Sequence, residues 1–318
     1  MELKLDNVLK GKTSVGISGH VKPDGDCVGS TLAVYNYIKT WYPDIDVHIY
    51  LQPIPEEYRF LANSDAIELS DAPVVHDLFI ALDCSDIRRL DENGKHFEAA
   101  KETLCIDHHL NDGPFADTDC IYPESAAACE LVFQAMDEDK ITKEIAECLY
   151  SGIVSDTGVF QFKSTSKLTM DIAGKLMEKG IDYSTIVDKT YHEKTYAQNR
   201  ILGAALVKAK LHCNGRIISS YISWDDMKEY GASLMDLEGI VQQLRITQGV
   251  DIAIFMHDND NEGETRVSTR AVSACDVNLA DVAKVFNGGG HAKAAGLTLH
   301  GDREEGLKKL IAEIEKRF

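Results

Sequence analysis

The sequence predicts an α/β protein of two domains: a doubly wound, mainly parallel sheet, followed by a smaller α/β domain with a mixed sheet. Continuous apolar runs, typical of parallel strands covered on both faces, alternate with segments of helical periodicity through the first 190 residues. Beyond residue 202, several candidate strands alternate apolar and polar residues instead. The chain of 318 residues is too long for one small core. We therefore expect domains at 1–190 and 203–318, joined by a polar linker at 191–202.

Each element of the first domain follows from its own pattern. Short apolar or alternating runs predict strands at 15–18, 46–51, 78–82 and 103–106. Apolar residues at helical spacing predict helices at 2–10, 27–40, 55–63, 125–136, 142–156, 167–179 and 183–191. Three of the strands end in, or just before, His and Asp residues. Because ligands of doubly wound sheets bind at the carboxyl ends of the strands, this pattern predicts an active site there.

The second domain is predicted from shorter segments. They indicate strands at 206–212, 216–223, 251–257 and 265–271, and helices at 238–245, 279–286 and 304–317. On the last strand, Arg266, Ser268 and Arg270 share one face. Two guanidinium groups and a hydroxyl suit a phosphate or a base edge, but the same face also suits solvent. The sequence leaves both interpretations open.

A glycine-rich turn follows the helix predicted at 279–286. It consists of Gly288, Gly289, Gly290 and His291. Glycines in this place either end a helix and form a turn, or let backbone N–H groups approach a phosphate or a base closely. Composition alone favours neither interpretation.

Composition narrows the classes of function. The formal net charge of −19 argues against a protein that coats long nucleic acid, although a metal site and a few local cations still allow a small phosphorylated substrate. No run is apolar enough to cross a bilayer, and the N-terminus lacks the pattern of a signal peptide, so we expect a cytoplasmic protein. Eight scattered cysteines without a Cys-x-x-Cys pair indicate buried, reduced thiols.

Histidine and aspartate residues cluster at the ends of the predicted elements. The members of this set are His20, Asp24, Asp26, Asp83, Asp107, His108, His109 and Asp156. Bare carboxylates at short range would repel one another, and two divalent cations would balance them. One carboxylate that bridges two ions gives the geometry in which a bridging hydroxide hydrolyses phosphate esters. A set of His and Asp without Cys favours Mn²⁺ over a structural zinc ion.

Taken singly, each of these residues has an ordinary explanation. An aspartate where a strand meets a helix is usually an N-cap, so Asp83 or Asp156 alone predicts a cap or a turn. A lone His109 predicts a polar contact. The joint pattern at several strand ends favours the metal site. Histidines elsewhere, such as His48 and His76, are expected to be structural.

The motifs, taken in order, resemble the DHH phosphoesterase superfamily. The matching segments are His20-x₃-Asp24-x-Asp26, Asp83, Asp107-His108-His109 and Asp156. The second half resembles the DHH-associated C-terminal domain, whose glycine-rich motif matches 288–291 and 294–296. Asn287 stands where the family has a further glycine, and Asn tolerates the left-handed conformation. Length and the two-domain plan are similar to the NrnA type, over nearly the whole chain.

This resemblance implies a role for each motif residue. It assigns one Mn²⁺ to His20, Asp24 and Asp83. It assigns a second Mn²⁺ to Asp26, Asp83, His108 and Asp156, with Asp83 as the bridge. His109 would contact the scissile phosphate, and we expect Asp107 to orient the neighbouring histidine. The resemblance assigns the far end of the substrate to Arg270, Gly288, Gly289, Gly290 and His291, and we add Ser268 because it shares a strand face with Arg270.

The resemblance also implies an activity. Enzymes of this type hydrolyse oligoribonucleotides of two to five nucleotides to nucleoside 5′-monophosphates, and remove the 3′-phosphate of 3′-phosphoadenosine 5′-phosphate (pAp). A cleft between two domains would admit a dinucleotide more easily than a long strand. One alternative is a phosphodiesterase for linear or cyclic dinucleotide signals such as pApA or c-di-AMP, and another is a non-catalytic nucleotide-sensing module. We expect no membrane or long nucleic acid as a partner, and the sequence leaves a homodimer open.

Overall fold

A computed structural model describes residues 2–69, 72–110, 113–259, 261 and 263–318. The chain divides into two compact units, Met1–Glu193 and Lys194–Phe318. Each unit combines a sheet with helices, so the predicted α/β class is confirmed. Among the described residues, no helix has both the length and the apolar character needed to cross a membrane.

The first unit is built on a parallel sheet. Its strands are β1 (Ser14–Ser18), β2 (Asp46–Tyr50), β3 (Ile67–Glu68), β4 (Leu78–Leu82), β5 (Thr103–Asp107) and β6 (Thr118–Ile121). They lie in the order β3-β2-β1-β4-β5-β6, and every neighbouring pair is parallel. All five residues of β4 are buried, as its continuous apolar run predicts. The strand order reverses direction between β1 and β4, which makes this the switch point of the sheet.

Helices flank this sheet. They are α1 (Leu5–Leu9), α2 (Gly25–Trp41), α3 (Gly94–Ala99), α4 (Ala128–Ala135), α5 (Lys143–Thr157), α6 (Lys167–Glu178) and α7 (Tyr183–Val187). A π-helical turn, Asp188–His192, continues α7. The α5 helix packs against α2, α4 and α6, and its side chains Ile145 and Leu149 are fully buried in the core of the unit.

The crossing of α2 and α5 depends on glycine. A Cβ atom on Gly29 would stand 2.5 Å from the carbonyl oxygen of Cys148 in α5, and one on Gly152 would stand 2.9 Å from Oδ1 of Asp26 in α2. No real side chain tolerates such separations, so these glycines allow the helices to approach. The approach brings the first turn of α2, which carries Asp26, next to the last turn of α5, which carries Asp156.

The prediction of a helix at 55–63 is wrong. The segment forms only a 3₁₀ turn at Glu56–Tyr58, followed by further turns. Tyr58 and Leu61 are buried, and hydrogen bonds between residues three apart hold the segment. Because these hydrogen bonds span three residues rather than four, the segment forms 3₁₀-type turns and not an α-helix.

The second unit contains a mixed sheet. Its strands are β7 (Lys210–His212), β8 (Ile217–Ile222), β9 (Ile252–Asp258), β10 (Glu264–Ala271), β11 (Gly289–His291) and β12 (Ala294–His300), in the order β11-β12-β10-β9-β8-β7. Only the β8–β9 pair of this order is parallel. The helices are α8 (Tyr196–Val207), α9 (Trp224–Tyr230), α10 (Ile240–Arg245), α11 (Leu279–Val285) and α12 (Arg303–Glu315). Buried residues lie on both faces of β9, so helices cover both sides of the sheet.

The strand predicted at 206–212 is wrong in its first part, because these residues end α8. A capping box of Thr195 and Gln198 starts this helix, and Ile201 is fully buried on its inner face. Residues 196–202, which composition assigns to a linker, belong to the same packed helix.

Candidate metal centre

The switch point of the first sheet brings the predicted site residues together. The loop after β1 carries His20, and the residue after β4 is Asp83, so both leave neighbouring strands at the same edge. Asp83 has a φ of 52°, in the left-handed region that a non-glycine residue rarely adopts. Such strain persists only where surrounding contacts enforce it, and it is concentrated at functional sites.

Asp83 lies between three histidines. Its Oδ2 atom is 3.3 Å from Nε2 of His20. Its Oδ1 atom is 3.5 Å from Nε2 of His108 and 3.4 Å from Nδ1 of His109. The side chain is buried, and Oδ1 has no hydrogen-bond partner within the described part of the chain. One carboxylate therefore offers a separate oxygen to the side of His20 and to the side of His108.

Backbone carbonyls fix the orientation of two imidazoles. Nδ1 of His20 donates a hydrogen bond to the carbonyl oxygen of Val21 at 2.8 Å, and Nδ1 of His108 donates to that of Ser125 at 3.2 Å. Each ring therefore presents Nε2, without its proton in the neutral form, to the carboxylates. A histidine held in this way through its other nitrogen is typical of metal ligands.

The remaining carboxylates lie near His20 or near His108. Oδ2 of Asp24 is 3.5 Å from Nε2 of His20. On the other side, Nε2 of His108 is 3.2 Å from Oδ2 of Asp156 and 3.7 Å from Oδ2 of Asp26. Nε2 of His108 has no hydrogen-bond partner among the described residues, although it is buried. An unpartnered nitrogen that faces carboxylate oxygens fits a divalent cation, so the donor set suits metal binding.

Asp24 combines the ordinary and the functional interpretation. Its Oδ1 atom accepts hydrogen bonds from the backbone N–H groups of Asp26 and Cys27, which makes Asp24 the N-cap of α2. The other oxygen, Oδ2, faces His20. One carboxylate oxygen of Asp24 therefore caps the helix, and the other is a candidate metal ligand.

Asp26 also has a structural role that the sequence does not reveal. Its carboxylate accepts hydrogen bonds from the backbone N–H groups of Ala128, at 2.5 Å, and Cys129, at 2.9 Å. These are the first N–H groups of α4, whose own N-cap residue makes no side-chain cap. Asp26 thus caps α4 from another element, and α4 begins at Ala128 rather than at the predicted Ser125.

Burial and like charges control the protonation of this cluster. Burial favours neutral His20, but Asp24 and Asp83 outweigh it and raise the pKa of His20 to about 10. Asp156 and Asp83 likewise overcome burial and raise the pKa of His108 to about 12. Complete burial, together with the charges of Asp83 and Asp156, raises the pKa of Asp26. The carboxylates therefore create a strong preference for positive charge at this point of the molecule.

Asp107 contacts His109 rather than its immediate neighbour. Nδ1 of His109 is 2.8 Å from Oδ1 of Asp107, and this hydrogen bond raises the pKa of His109. The Asp107 side chain is fully buried, whereas His109 remains partly exposed. Asp107 therefore holds the imidazole of His109 in one orientation, and the exposed part of the ring is accessible to a substrate.

A cysteine also lies at the cluster, although the sequence predicted a metal site of His and Asp without Cys. Sγ of Cys27, a ring nitrogen of His20 and a carboxylate oxygen of Asp83 all lie within 4.8 Å of one another. Two further such groups combine Asp83, His108 and His109, and Asp26, His108 and Asp156. Cys27 directly follows Asp26, but helical geometry alone does not indicate that its thiol turns towards His20.

The candidate substrate residues of the second unit share one face of its sheet. In the strand register, Ser268 lies opposite Gly296, which lies opposite Gly289. Arg270 and His291 lie in the adjacent row, on either side of Ala294. Because residues in register point to the same side, these polar groups form a continuous surface.

The three glycines of the turn differ in their steric surroundings. A Cβ atom on Gly288 would stand 2.4 Å from the carbonyl oxygen of Gly296, and Gly290 has a φ of 139°. Both positions therefore require glycine for the β11–β12 hairpin itself. Gly289 has open space at the Cβ position. Asn287 adopts the expected left-handed conformation, with a φ of 57°.

Comparisons with known proteins agree with this architecture. Residues 14–153 match the family described as DHH family, N-terminal domain, and residues 214–318 match the DHHA1 domain. The chain is 24% identical over 320 residues to the bifunctional oligoribonuclease and PAP phosphatase NrnA of Bacillus subtilis (strain 168), covering 99% of this chain and 98% of that protein. It is 27% identical over 312 residues to the NrnA protein of Thermus thermophilus, covering 95% and 89%.

A solved structure shares the fold over nearly the full length. The exopolyphosphatase-related protein from Bacteroides fragilis is 26% identical and superposes with a TM-score of 0.85, covering 98% of this chain and 94% of that one. The two domain matches occur in the same order as the two structural units, and the DHH residues lie at the switch point of the first sheet. The chain therefore has an N-terminal DHH domain followed by a DHHA1 domain, and it is similar to DHH phosphoesterases over nearly its full length.

Proposed function

We propose that this phosphoesterase hydrolyses oligoribonucleotides of two to five nucleotides to nucleoside 5′-monophosphates and removes the 3′-phosphate of pAp. The observation that carries the proposal is the position of Asp83, whose two oxygens face His20 on one side and His108 on the other. The names and full-length similarity of the relatives from Bacillus subtilis and Thermus thermophilus support the class of substrate.

Two divalent ions, which we propose to be Mn²⁺, fit the two groups of donors. His20, Asp24 and Asp83 would hold one ion. The residues that would hold the other are Asp26, Asp83, His108 and Asp156. When bound, such a pair of ions activates a water molecule and neutralises the oxygens of the attacked phosphate.

His109 and Asp107 act on the substrate side of the site. The Asp107 carboxylate holds Nδ1–H of His109, so the other nitrogen, Nε2, is free to contact the scissile phosphate. Because this hydrogen bond favours the protonated imidazole, His109 offers a positive charge and a donor to a phosphate oxygen. Asp107 is thus a positioning residue in the proposed reaction.

The polar face of the second unit would recognise the remainder of the substrate. Arg270 offers a guanidinium group to a phosphate and His291 offers an imidazole, while the open space at the Cβ position of Gly289 leaves room for the substrate. Ser268 adds a hydroxyl group in the next row. A cytoplasmic location and a homodimer stay predictions.

The test is a substrate panel assayed with Mn²⁺ and read by chromatography. The panel contains a diribonucleotide, pAp, pApA, c-di-AMP and pyrophosphate. We expect nucleoside monophosphates from the diribonucleotide and AMP from pAp. Exclusive turnover of c-di-AMP, or binding of every nucleotide without any turnover, would contradict the proposal.

Asp83→Asn examines the centre directly. Because Asp83 contributes to both groups, we expect the variant to bind less metal by elemental analysis and to lose nearly all hydrolysis. Asp86→Asn is the matched control, since Asp86 lies three residues away and pairs locally with Arg88. Full turnover by Asp83→Asn with two bound ions would show that Asp83 does not join them.

A further inference from the structure

Cys27 lies where the first turn of α2 meets the His20 side of the metal centre. The residue is fully buried, and its Sγ atom lies within 4.8 Å of both a ring nitrogen of His20 and a carboxylate oxygen of Asp83. The His20 nitrogen and the Asp83 oxygen also lie within 4.8 Å of each other. Three donor atoms from three different parts of the chain thus surround one small volume.

The surrounding backbone fixes the thiol in this position. The backbone N–H of Cys27 donates to the cap oxygen of Asp24 at 3.2 Å. A Cβ atom on Gly19 would stand 2.3 Å from Sγ, so the glycine makes room for the sulfur beside the β1 loop. The thiol contacts the carbonyl oxygen of His20 at 3.8 Å, which is a weak contact.

The carboxylate of Asp83 brings a negative charge to this volume. Asp83 is 1% exposed, and its Oδ2 atom lies 3.3 Å from Nε2 of His20. A buried carboxylate is costly unless a positive charge balances it, and a metal ion supplies such a charge.

The other thiols do not share these surroundings. Over the described part of the chain, Cys27 is the one cysteine that belongs to a group able to hold a metal ion. Cys148, which is also fully buried, instead accepts a contact from Nδ2 of Asn36 at 3.7 Å. Burial alone therefore does not explain where the Cys27 sulfur lies.

We propose that Cys27 is a sulfur ligand of the ion held by His20 and Asp83, and that this ligand raises the affinity of the position for Fe²⁺, Co²⁺ and Zn²⁺ more than its affinity for Mn²⁺. As the sulfur–metal bond forms, the thiol proton leaves to solvent. Thiolate is a softer donor than carboxylate, and it strengthens binding of the later first-row ions more than binding of Mn²⁺. The inference rests on the proposed metal centre and refines it at one of the two positions.

The test is a Co²⁺ titration of the full-length protein, followed by absorption spectroscopy. Cobalt bound to thiolate gives an intense near-ultraviolet charge-transfer band that oxygen and nitrogen ligands do not give. We expect the band in the wild-type protein and in Cys148→Ala, the matched buried-thiol control. We expect it to be absent in Cys27→Ala and in Cys27→Ser, which keeps nearly the same size.

Competition titrations give a second readout. We expect Cys27→Ser to weaken Zn²⁺ binding by about 10-fold or more, while Mn²⁺ binding changes less. A metal-free thermal melt shows whether each variant is folded before the comparison is made. Equal losses for both ions would indicate a structural role and would overturn the inference.

The spectrum also separates this inference from the proposed activity. A wild-type protein without the band, whether it binds cobalt or not, overturns the sulfur ligand. Retention of the band in both Cys27 variants overturns it as well. Hydrolysis of the diribonucleotide with Mn²⁺ is measured separately. The proposed activity can therefore be confirmed when the sulfur ligand is contradicted, and the sulfur ligand can be confirmed when the activity is contradicted.

Discussion

At the scale of single residues, several side chains of the centre combine a structural contact with a functional position. Asp24 caps α2 with one oxygen and faces His20 with the other. Asp26 caps α4 and lies 3.7 Å from His108. Because the same carboxylates hold helix ends, the positions of the candidate ligands are fixed by the fold itself. Preorganisation of this kind lowers the cost of binding ions and substrate.

Asp107→Asn tests the positioning of His109. Asn keeps an acceptor oxygen but removes the charge that raises the pKa of His109, so His109 loses its proton at lower pH. We expect kcat to fall by about 10- to 100-fold, with little change in KM. The alkaline limb of the pH–kcat profile should move to lower pH. Asp119→Asn, on the neighbouring strand β6, is the control.

An unchanged alkaline limb in Asp107→Asn would contradict this role. Metal content provides a further check, because Asp107 belongs to neither proposed group of ligands. A variant that loses its ions would point to a ligand or folding role for Asp107 rather than to positioning.

His76 provides a residue-scale prediction away from the centre. Burial, with smaller effects of His48 and His96, lowers the pKa of His76 to about 4. Its Nδ1 atom has no partner among the described residues, while Nε2 shares a hydrogen bond with the hydroxyl of Tyr50. The unfolded chain therefore binds a proton at higher pH than the folded chain does, and stability falls as pH decreases from the unfolded pKa towards 4.

Because of His76, the free energy of unfolding should fall by about 2 kcal/mol between about pH 7.5 and about pH 5. We expect this decrease to be absent in His76→Gln. Urea unfolding in a Trp224→Phe background measures it, since Trp41 then reports on the first unit. His300→Gln, in the second unit, is the control. An equal pH dependence with and without His76 would assign the acid sensitivity to other groups.

At the scale of elements, the α2–α5 crossing decides the geometry of the site. The two helices are far apart in sequence, and glycines at their contact let Asp26 and Asp156 approach the same histidine. The β11–β12 hairpin depends on glycine in the same manner, at Gly288 and Gly290. Close contacts between the helices and within the hairpin thus position the motif residues.

Gly152→Ala tests the helix crossing. The new Cβ would meet Sγ of Cys129 at 2.3 Å and Oδ1 of Asp26 at 2.9 Å. We expect a loss of about 1–3 kcal/mol in the free energy of unfolding, together with weaker metal binding. Gly174→Ala on α6 is the matched control, because nothing lies within 4 Å of its Cβ position. It should gain about 0.4–1 kcal/mol.

Urea unfolding in the Trp224→Phe background, followed by the fluorescence of Trp41, measures both glycine variants. If Gly152→Ala is as stable as Gly174→Ala, the two helices can separate at little cost. The position of Asp26 would then not depend on the close contact between α2 and α5.

At the scale of the whole molecule, every proposed metal ligand belongs to the first unit, while the candidate substrate face belongs to the second. Each unit has one tryptophan, Trp41 and Trp224. Variants that retain only one of them therefore follow the unfolding of each unit in the full chain.

We expect Mn²⁺ to stabilise the first unit selectively. At about 100 times its Kd, a single bound ion adds about 2.7 kcal/mol to the free energy of unfolding. The thermal transition reported by Trp41 should therefore rise with Mn²⁺ and fall with a chelator, whereas that reported by Trp224 should change little. Na⁺ at equal ionic strength is the control for screening. Equal shifts of both transitions would show that the units unfold together or that ions also bind the second unit.

Much of the fold was accessible from periodicity, and its failures have physical causes. Continuous apolar runs identify β4 and β5 because strands covered on both faces exclude polar side chains. The short or partly polar elements β6, β12 and α9 have no counterpart among the predictions. The capping box at Thr195 was available in the sequence, but the polar surface of α8 resembles a linker.

The sequence by itself determined the α/β class, the parallel sheet and the set of His and Asp residues at its carboxyl edge. These depend on local periodicity and on the rule that parallel strands end at one edge. Only the tertiary structure decided that Asp26 caps α4, that Asp107 pairs with His109 and that the Cys27 sulfur lies beside His20 and Asp83. Such contacts depend on distances between elements that are remote along the chain. Side-chain packing sets those distances, and sequence spacing does not encode them.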